Sequence, residues 1–434
     1  MLQKLQNHIN ENFPFLNGKR LLIAVSGGID SMVLVHLLHH LKLNISVAHC
    51  NFNLRSGESD GDETFVNSEC NHYNIKLFVN HFETKEYADL HKLSIQVAAR
   101  QLRYDWFNEV LEKEGFDYVL TAHHLDDSIE TFLINFTRGT GLEGLTGIPQ
   151  QNGKIIRPLL IFSRKEIENY AKENDIKWRE DSSNASDKYL RNTLRHNVIP
   201  IFKELNPGFS DAFQQTLENL QQAHSMVDDA SRIVYRKVVE DVNYQKRINL
   251  TELMVLPNYQ AYLYQWLKPF GFTAWNDIYD LVAAQSGKQV FSEHYRLLKD
   301  RNELILAEKN ELESEIFPVY EDKENLNVPL KITVCNKGDI SLEQKGCIFV
   351  DKDTLKFPLT FRKWEEGDYF YPSGMNGKKK LSKYFKDEKY SLIDKENVRI
   401  LCSENEVVWI VGKRADRRFL ANETTQTIIK IELK

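Results

Sequence analysis

Between residues 20 and 160 the chain alternates two hydrophobic rhythms. "LLIAV" (21–25) is a continuous apolar run closed by turn residues, the pattern of a buried strand. From Ser31 the apolar positions Val33, Leu34, Leu37, Leu38 and Leu41 follow a helical period. "NISVAHC" then reads as strand, "DETFVNSECNHYN" as helix and "IKLFVNHF" as strand. "SIQVAARQLRYDWFNEVLEKEG" is a long amphipathic helix ending at Gly115, followed by the strand "DYVLTA" and the helix "DDSIETFLINFTRG". Such alternation predicts an α/β domain, a parallel sheet of five-stranded type with helices on both faces. Ligands of these folds sit at the carboxyl ends of the strands. "SGGIDS" and "HHLDDS" both follow strands, so both should face one crevice.

Beyond a glycine-rich loop, "RGTGLEGLTGIP", the helix of "FSRKEIENYAKEND" opens on a capping box, Ser163 with Glu166. "NPG" (206–208) punctuates, and Phe213, Leu217, Leu220, Val227, Val234 and Val238 then mark one long connecting helix. His224 and Ser231 interrupt its apolar face, and His224 reads as a helix-surface residue. Residues 251–310 predict two helices and a hairpin in "HYRLLKDRNELILAE"; from there the pattern is strand-rich. Three domains are therefore expected: 1–208, 209–312 (long helix and helical middle domain) and 313–434 (a small α+β domain).

Composition narrows the class. No apolar run is long enough for a bilayer, and "MLQKLQNHINENF" lacks a signal-peptide core, so a soluble cytoplasmic protein with no membrane partner is expected. Five cysteines form no C-x-x-C pair, which argues against an iron–sulfur or zinc site. The net charge is −6, yet residues 154–203 and 360–420 each carry an excess of four basic residues. Nucleic acid is thus an admissible partner through local patches.

The turn between strand and helix is S-G-G-x-D-S, with no Walker or dinucleotide glycine motif. A tight glycine turn ahead of a helix N-terminus aims several N–H groups at one anion. Here the sequence resembles the PP-loop ATP pyrophosphatases, whose fold is adenine nucleotide alpha hydrolase-like and which cleave ATP between its α and β phosphates. "TAHHLDDSIET" (121–131) resembles the signature of tRNA(Ile)-lysidine synthases. "VAHCNFNLR" (47–55), "AARQLRY" (98–104), "RPLL" (157–160), "EDSSN" (180–184), "RNTLRHNVIP" (191–200), "KKLSKYFKD" (379–387) and "VVWIVGKRADRR" (407–418) extend the likeness over most of the chain.

The resemblance implies that Ser26, Gly27, Gly28, Ile29, Asp30 and Ser31 bind the pyrophosphate end of ATP, with His49, Asn51 and His123 completing the nucleotide site. It implies Asp30, Asp127 and Glu130 as catalytic groups and Asp30 with Asp127 as Mg²⁺ ligands. Asp126, Arg100 and Arg103 are expected at the lysine and other substrate groups. Arg191, Arg195, Lys378, Lys379, Lys380 and Lys383 are expected at tRNA phosphates. ATP and Mg²⁺ are the expected cofactors. The expected partners are free L-lysine and an isoleucine tRNA with a CAU anticodon, and a second copy of the chain is admissible.

The implied reaction is a carbon–nitrogen ligation: adenylation of the wobble cytidine, then attack by lysine to give lysidine, AMP and pyrophosphate, changing Met identity to Ile. Asn51 and Phe52 stand where the family often has an acidic residue and a second histidine, and Ser128 where glutamine is frequent. The alternatives are another PP-loop tRNA modifier such as a thiolase, disfavoured by the missing cysteine pair, and a non-enzymatic ATP- and RNA-binding protein.

Overall fold

The computed structural model describes residues 1–54, 57–180, 190–242, 244–309, 316–321, 328–335 and 346–434. Arg55, positions 181–184 of the "EDSSN" stretch and the expected boundary near 313 lie outside them. The chain forms two compact units, Met1–Asp229 and Ala230–Lys434.

In the first unit the strands are β1 (Leu21–Ala24), β2 (Ile45–Asn51), β3 (Leu77–His81), β4 (Tyr118–Leu120), β5 (Gln151–Asn152) and β6 (Ile155–Ile156). The helices are α1 (Leu2–Asn12), α2 (Ile29–His40), α3 (Gly57–His72), α4 (Thr84–His91), α5 (Ile95–Glu114), α6 (Leu125–Thr137) and α7 (Arg164–Glu173). They are followed by α8 (Leu190–Thr193), α9 (Ile199–Leu205) and the 30-residue α10 (Phe209–Val238). The sheet order is β3-β2-β1-β4-β6-β5. Five strands run parallel, and the two-residue β5 is antiparallel at the edge.

The order reverses at β1, so the connections leave a crevice beyond the carboxyl ends of β1 and β4. Successive residues of β1 point to opposite faces. Leu21 and Ile23 enter a core built with α1, α2 and α7. Leu22 enters the other, built around Trp106, Phe107, Val110 and Leu111 of α5. That two-sided burial explains why β1 reads as an unbroken apolar run. Ser94 caps α5 by accepting from the Val97 N–H at 3.3 Å, and Gly115 ends it at φ +70°.

The second unit begins inside α10. Its middle part holds α11 (Leu250–Met254), α12 (Tyr259–Leu267) and α13 (Trp275–Leu281), in agreement with the helical reading. It also holds an antiparallel sheet that the pattern showed only at its hairpin. That sheet comprises β7 (Val239–Val242), β8 (Gln245–Asn249), β9 (Gln289–Phe291), β10 (Tyr295–Asp300) and β11 (Glu303–Glu308), ordered β7-β8-β11-β10-β9. "VEDV" is a half-exposed edge strand, and "QKRIN" beside it buries only Gln245 and Ile248, too sparse an apolar pattern to read as strand.

The last part is α+β, as expected. Strands β12 (Phe317–Val319), β15 (Leu359–Lys363), β18 (Arg399–Ser403) and β19 (Glu406–Ile410) form one sheet. β13 (Leu330–Cys335), β14 (Cys347–Asp351) and β20 (Ile428–Leu433) form a second. β16 (Tyr369–Phe370) and β17 (Lys379–Lys380) pair beside α14 (Leu381–Asp387) and α15 (Leu392–Asn397).

Candidate active site

The turn after β1 is shaped by one glycine. Gly27 has φ +88°, and a Cβ there would stand 3.4 Å from Val66 of α3. Gly28 is the N-cap of α2, and Ser31 closes the turn by donating to the Gly28 carbonyl at 2.8 Å. The Ser26 N–H in turn donates to Ser31 Oγ at 3.3 Å. Ile29 packs into the core and anchors the helix start. The result is a helix N-terminus, with Ser26 exposed and Asp30 in its first turn, opening onto the crevice.

Ser26, Asp30, Ser31, Arg103, Tyr104, His123, Asp127 and Arg191 all line one cavity of about 280 Å³. A neighbouring cavity of about 460 Å³ shares Ser26, Cys50, Phe52 and Arg103 with it and adds His49, Asn51 and Asp62. The phosphate loop and the "HHLDDS" segment therefore meet, as the shared strand-end position requires.

Each wall has a distinct chemistry. Buried His49 donates Nδ1–H to the Val25 carbonyl at 2.9 Å, which leaves Nε2 as an acceptor. Asn51 is buried and spends its amide on Asp60 and Glu63 at 3.2 and 2.9 Å. Phe52 stacks on Phe82 at 5.4 Å, and the Arg103 guanidinium lies 5.2 Å from the Phe52 ring. Arg100 is exposed, 4.9 Å over Tyr104, and lines neither cavity.

At the end of β4, His123 meets Thr121 Oγ1 at 2.9 Å, and burial pulls its pKa down to about 4. His124 is buried with its Nε2 at 3.7 Å from Asp30 and 3.6 Å from Asp127. Of this adjacent pair, sequence reasoning placed only His123 among the nucleotide-site residues. The signal for His124 was available, since a residue at the N-cap of an acidic helix start faces the carboxylates that follow.

The three acidic residues of α6 do not act as one cluster. Asp127 caps its own helix by accepting the His124 N–H at 3.0 Å, and it lines the cavity. Glu130, one turn on, is fully buried. Arg195 grips it with Nε at 2.6 Å and Nη2 at 3.1 Å, and Arg191 Nε lies at 3.3 Å. Burial nevertheless raises the Glu130 pKa above the ordinary carboxylate value.

Asp126 leaves the group. It accepts the Arg164 N–H at 2.7 Å and pairs with Lys203 Nζ at 2.6 Å, outside the cavity lining. Adjacent residues on a helix diverge by about 100°, and Asp126 follows α6 into the packing against α7 and α9. Arg191 and Arg195, expected at tRNA phosphates, sit on Glu130 beside the cavity with their side chains still partly exposed.

In the second unit Lys378, Lys380 and Lys383 are exposed, Lys378 lying 4.6 Å over Tyr369. Lys379 is tied to Asp387 at 2.9 Å. On α10, His224 is half-buried and 3.5 Å from Asp228.

Among the described residues no three His, Cys, Asp or Glu side chains form a metal nest. Two cavity carboxylates, Asp30 and Asp127, fit Mg²⁺, which is commonly held by one or two carboxylates together with substrate phosphates. Among the same residues no helix is long and apolar enough to cross a membrane.

A glycine turn feeding a helix N-terminus at the sheet's switch point, faced by acidic groups from the next strand end, defines an ATP-using enzyme of the PP-loop class. A PP-loop domain model matches residues 1–202, a TilS substrate binding domain model 241–309 and a TilS substrate C-terminal domain model 359–433. The tRNA(Ile)-lysidine synthase of Bacteroides thetaiotaomicron is 36% identical over 433 residues, 98% of each chain. That of Parabacteroides distasonis is 37% identical over 99% of each chain. That of Bacillus subtilis is 30% identical over 95% of this chain and 93% of its own. The chain belongs to the tRNA(Ile)-lysidine synthase family of PP-loop ligases.

Proposed function

We propose that this enzyme uses ATP to join free L-lysine to C2 of the wobble cytidine of an isoleucine tRNA with a CAU anticodon. The C2 carbonyl oxygen attacks the α-phosphorus of ATP, and pyrophosphate leaves. The ε-amine of lysine then attacks C2, AMP departs with the oxygen, and the amine proton passes to a base. The observation that carries this reading is the single cavity bounded by Asp30 of the phosphate loop and Asp127 of α6.

The loop N–H groups, Ser26 and Ser31 bind the phosphate tail, and His49, Asn51 and His123 serve the nucleoside side. Asp30 and Asp127 would hold Mg²⁺, which would offset charge on the triphosphate. Free lysine is an ammonium with a pKa of about 10.4 and must shed a proton before it can attack. Asp127, which lines the cavity, holds the ammonium and accepts its proton, while Glu130, fully buried one turn on, fixes Arg195 and Arg191 beside it. Arg191, exposed and lining the cavity, is placed to meet an anionic group, either a tRNA phosphate or the carboxylate of lysine. Lys378, Lys380 and Lys383 contact tRNA phosphates, which position the RNA without reading its sequence. The target base must leave the stack to reach the cavity.

The test supplies purified protein with ATP, Mg²⁺, labelled lysine and that tRNA. Label enters the RNA at one mole per mole of AMP and pyrophosphate released; folded protein that transfers no label overturns the reading. The thiolase alternative is weakened by Cys50, which lines both cavities but whose thiol burial pushes up to about 12. Such a thiol is a poor sulfur carrier at neutral pH.

A further inference from the structure

Arg164, 134 positions along the chain from Asp30, reaches the phosphate loop through Asp30 from outside the lining of both cavities. Its Nη1 donates to both oxygens of the Asp30 carboxylate, at 2.8 and 2.6 Å. Its Nε donates to Glu168 at 2.8 Å, and its main-chain N–H donates to Asp126 at 2.7 Å. Two carboxylate partners, Asp30 and Glu168, thus fix where this guanidinium points. Its Nη2 has no hydrogen-bond partner among the described residues, and the side chain is 39% exposed.

An ion pair alone would use less of the fork. A guanidinium presents five N–H groups in one plane, a geometry that matches phosphate oxygens in pairs. The other cations of the site have partners other than Asp30. Arg191 holds Glu130 and Thr131, Arg195 holds Glu130, and Arg103 lies against Phe52. Arg164 is the cation that touches the first turn of α2, where a triphosphate would otherwise meet the negative charge of Asp30.

We propose that Arg164 is a further substrate-contacting residue, a braced guanidinium that grips the β and γ phosphates of ATP and hence the departing pyrophosphate. This rests on the ATP-cleaving reading above. On nucleotide arrival Nη2 donates first, and Nη1 shifts from Asp30 to a phosphate oxygen, so Asp30 exchanges one cation for another while the site stays charge-balanced. AMP, which lacks those phosphates, does not reach Arg164.

The experiment compares wild type, Arg164→Ala and Arg164→Lys by isothermal titration of pyrophosphate, ATP and AMP with Mg²⁺ present, alongside thermal melts. Pyrophosphate and ATP affinity should fall about 10- to 100-fold in Arg164→Ala, the worth of one or two hydrogen bonds to a charged group. AMP affinity should stay within twofold, and Arg164→Lys should recover part of the loss. Equal weakening for AMP and pyrophosphate, or no weakening, would leave Arg164 a structural partner of Asp30 and overturn the proposal. Wild-type protein that bound neither ATP nor pyrophosphate would instead overturn the functional reading itself.

Discussion

Two adjacent histidines at the end of β4 show how far one residue's surroundings decide its chemistry. His123 points at Thr121 and the cavity, and burial holds it neutral, with a pKa near 4. Its folded pKa lies below its unfolded value of about 6.5, so the unfolded chain binds more protons between those limits. Stability should therefore fall as the pH drops from about 6.5 towards 4, and His123→Gln should flatten that slope in urea titrations at stepped pH. Asp126 has the opposite sign. Its carboxyl is held low by the Arg164 N–H and by Lys203, against the cost of burial. Its contribution is complete above about pH 4 and fades as the pH falls through the lower folded value. Asp126→Ala should cost about 2–3 kcal/mol at neutral pH, seen as a lowered denaturation midpoint. Asp127→Asn should do something different. The amide oxygen can still cap α6, so the melt should hardly move, while single-turnover lysine transfer should drop at least a hundredfold.

Helix beginnings carry most of the site. α2 brings Asp30 and Ser31, α6 brings Asp127, and α7 brings Arg164, each from a first turn whose N–H groups need acceptors. The capping box at α7 is complete: Ser163 N–H and Oγ meet Glu166 at 2.7 and 2.8 Å, and Ser163 Oγ accepts the Glu166 N–H at 3.3 Å. Ser163→Ala should destabilise the protein by about 1 kcal/mol in equilibrium unfolding. Because that cap sets the register of Arg164, ATP affinity should weaken with it. The Gly27 turn is stricter. Alanine at φ +88° adds backbone strain, and its Cβ would touch Val66, so Gly27→Ala should reduce ATP binding more than stability. Such starts were readable in the sequence because caps and glycine turns are local. The strands β7 and β8 were not, because short, half-exposed strands are stabilised by their neighbours' ladders rather than by their own pattern.

Across the whole chain an overall negative charge coexists with two basic stretches, and the structure separates their uses. The first stretch contributes Arg164, Arg191 and Arg195, whose side chains are engaged with Asp30 and Glu130. The second presents Lys378, Lys380 and Lys383 to solvent, with Lys379 withdrawn to Asp387. Reversing Lys380 and Lys383 to glutamate should raise the KM for tRNA and flatten its salt dependence, with ATP affinity unchanged, as counterion release requires. The family, the parallel sheet and the meeting of "SGGIDS" with "HHLDDS" were determined by the sequence by itself. Periodicity, glycine turns and strand-end position are properties of short segments, and the alternation leaves one crevice for both motifs. Which charged groups face that crevice was decided only by the tertiary structure. Asp126 and Asp127 are neighbours in the chain, yet one is drawn to Lys203 and the other to the cavity. Arg164 reaches Asp30 from 134 residues away. Ion pairing depends on distances set by how helices pack, and no spacing within one segment encodes them.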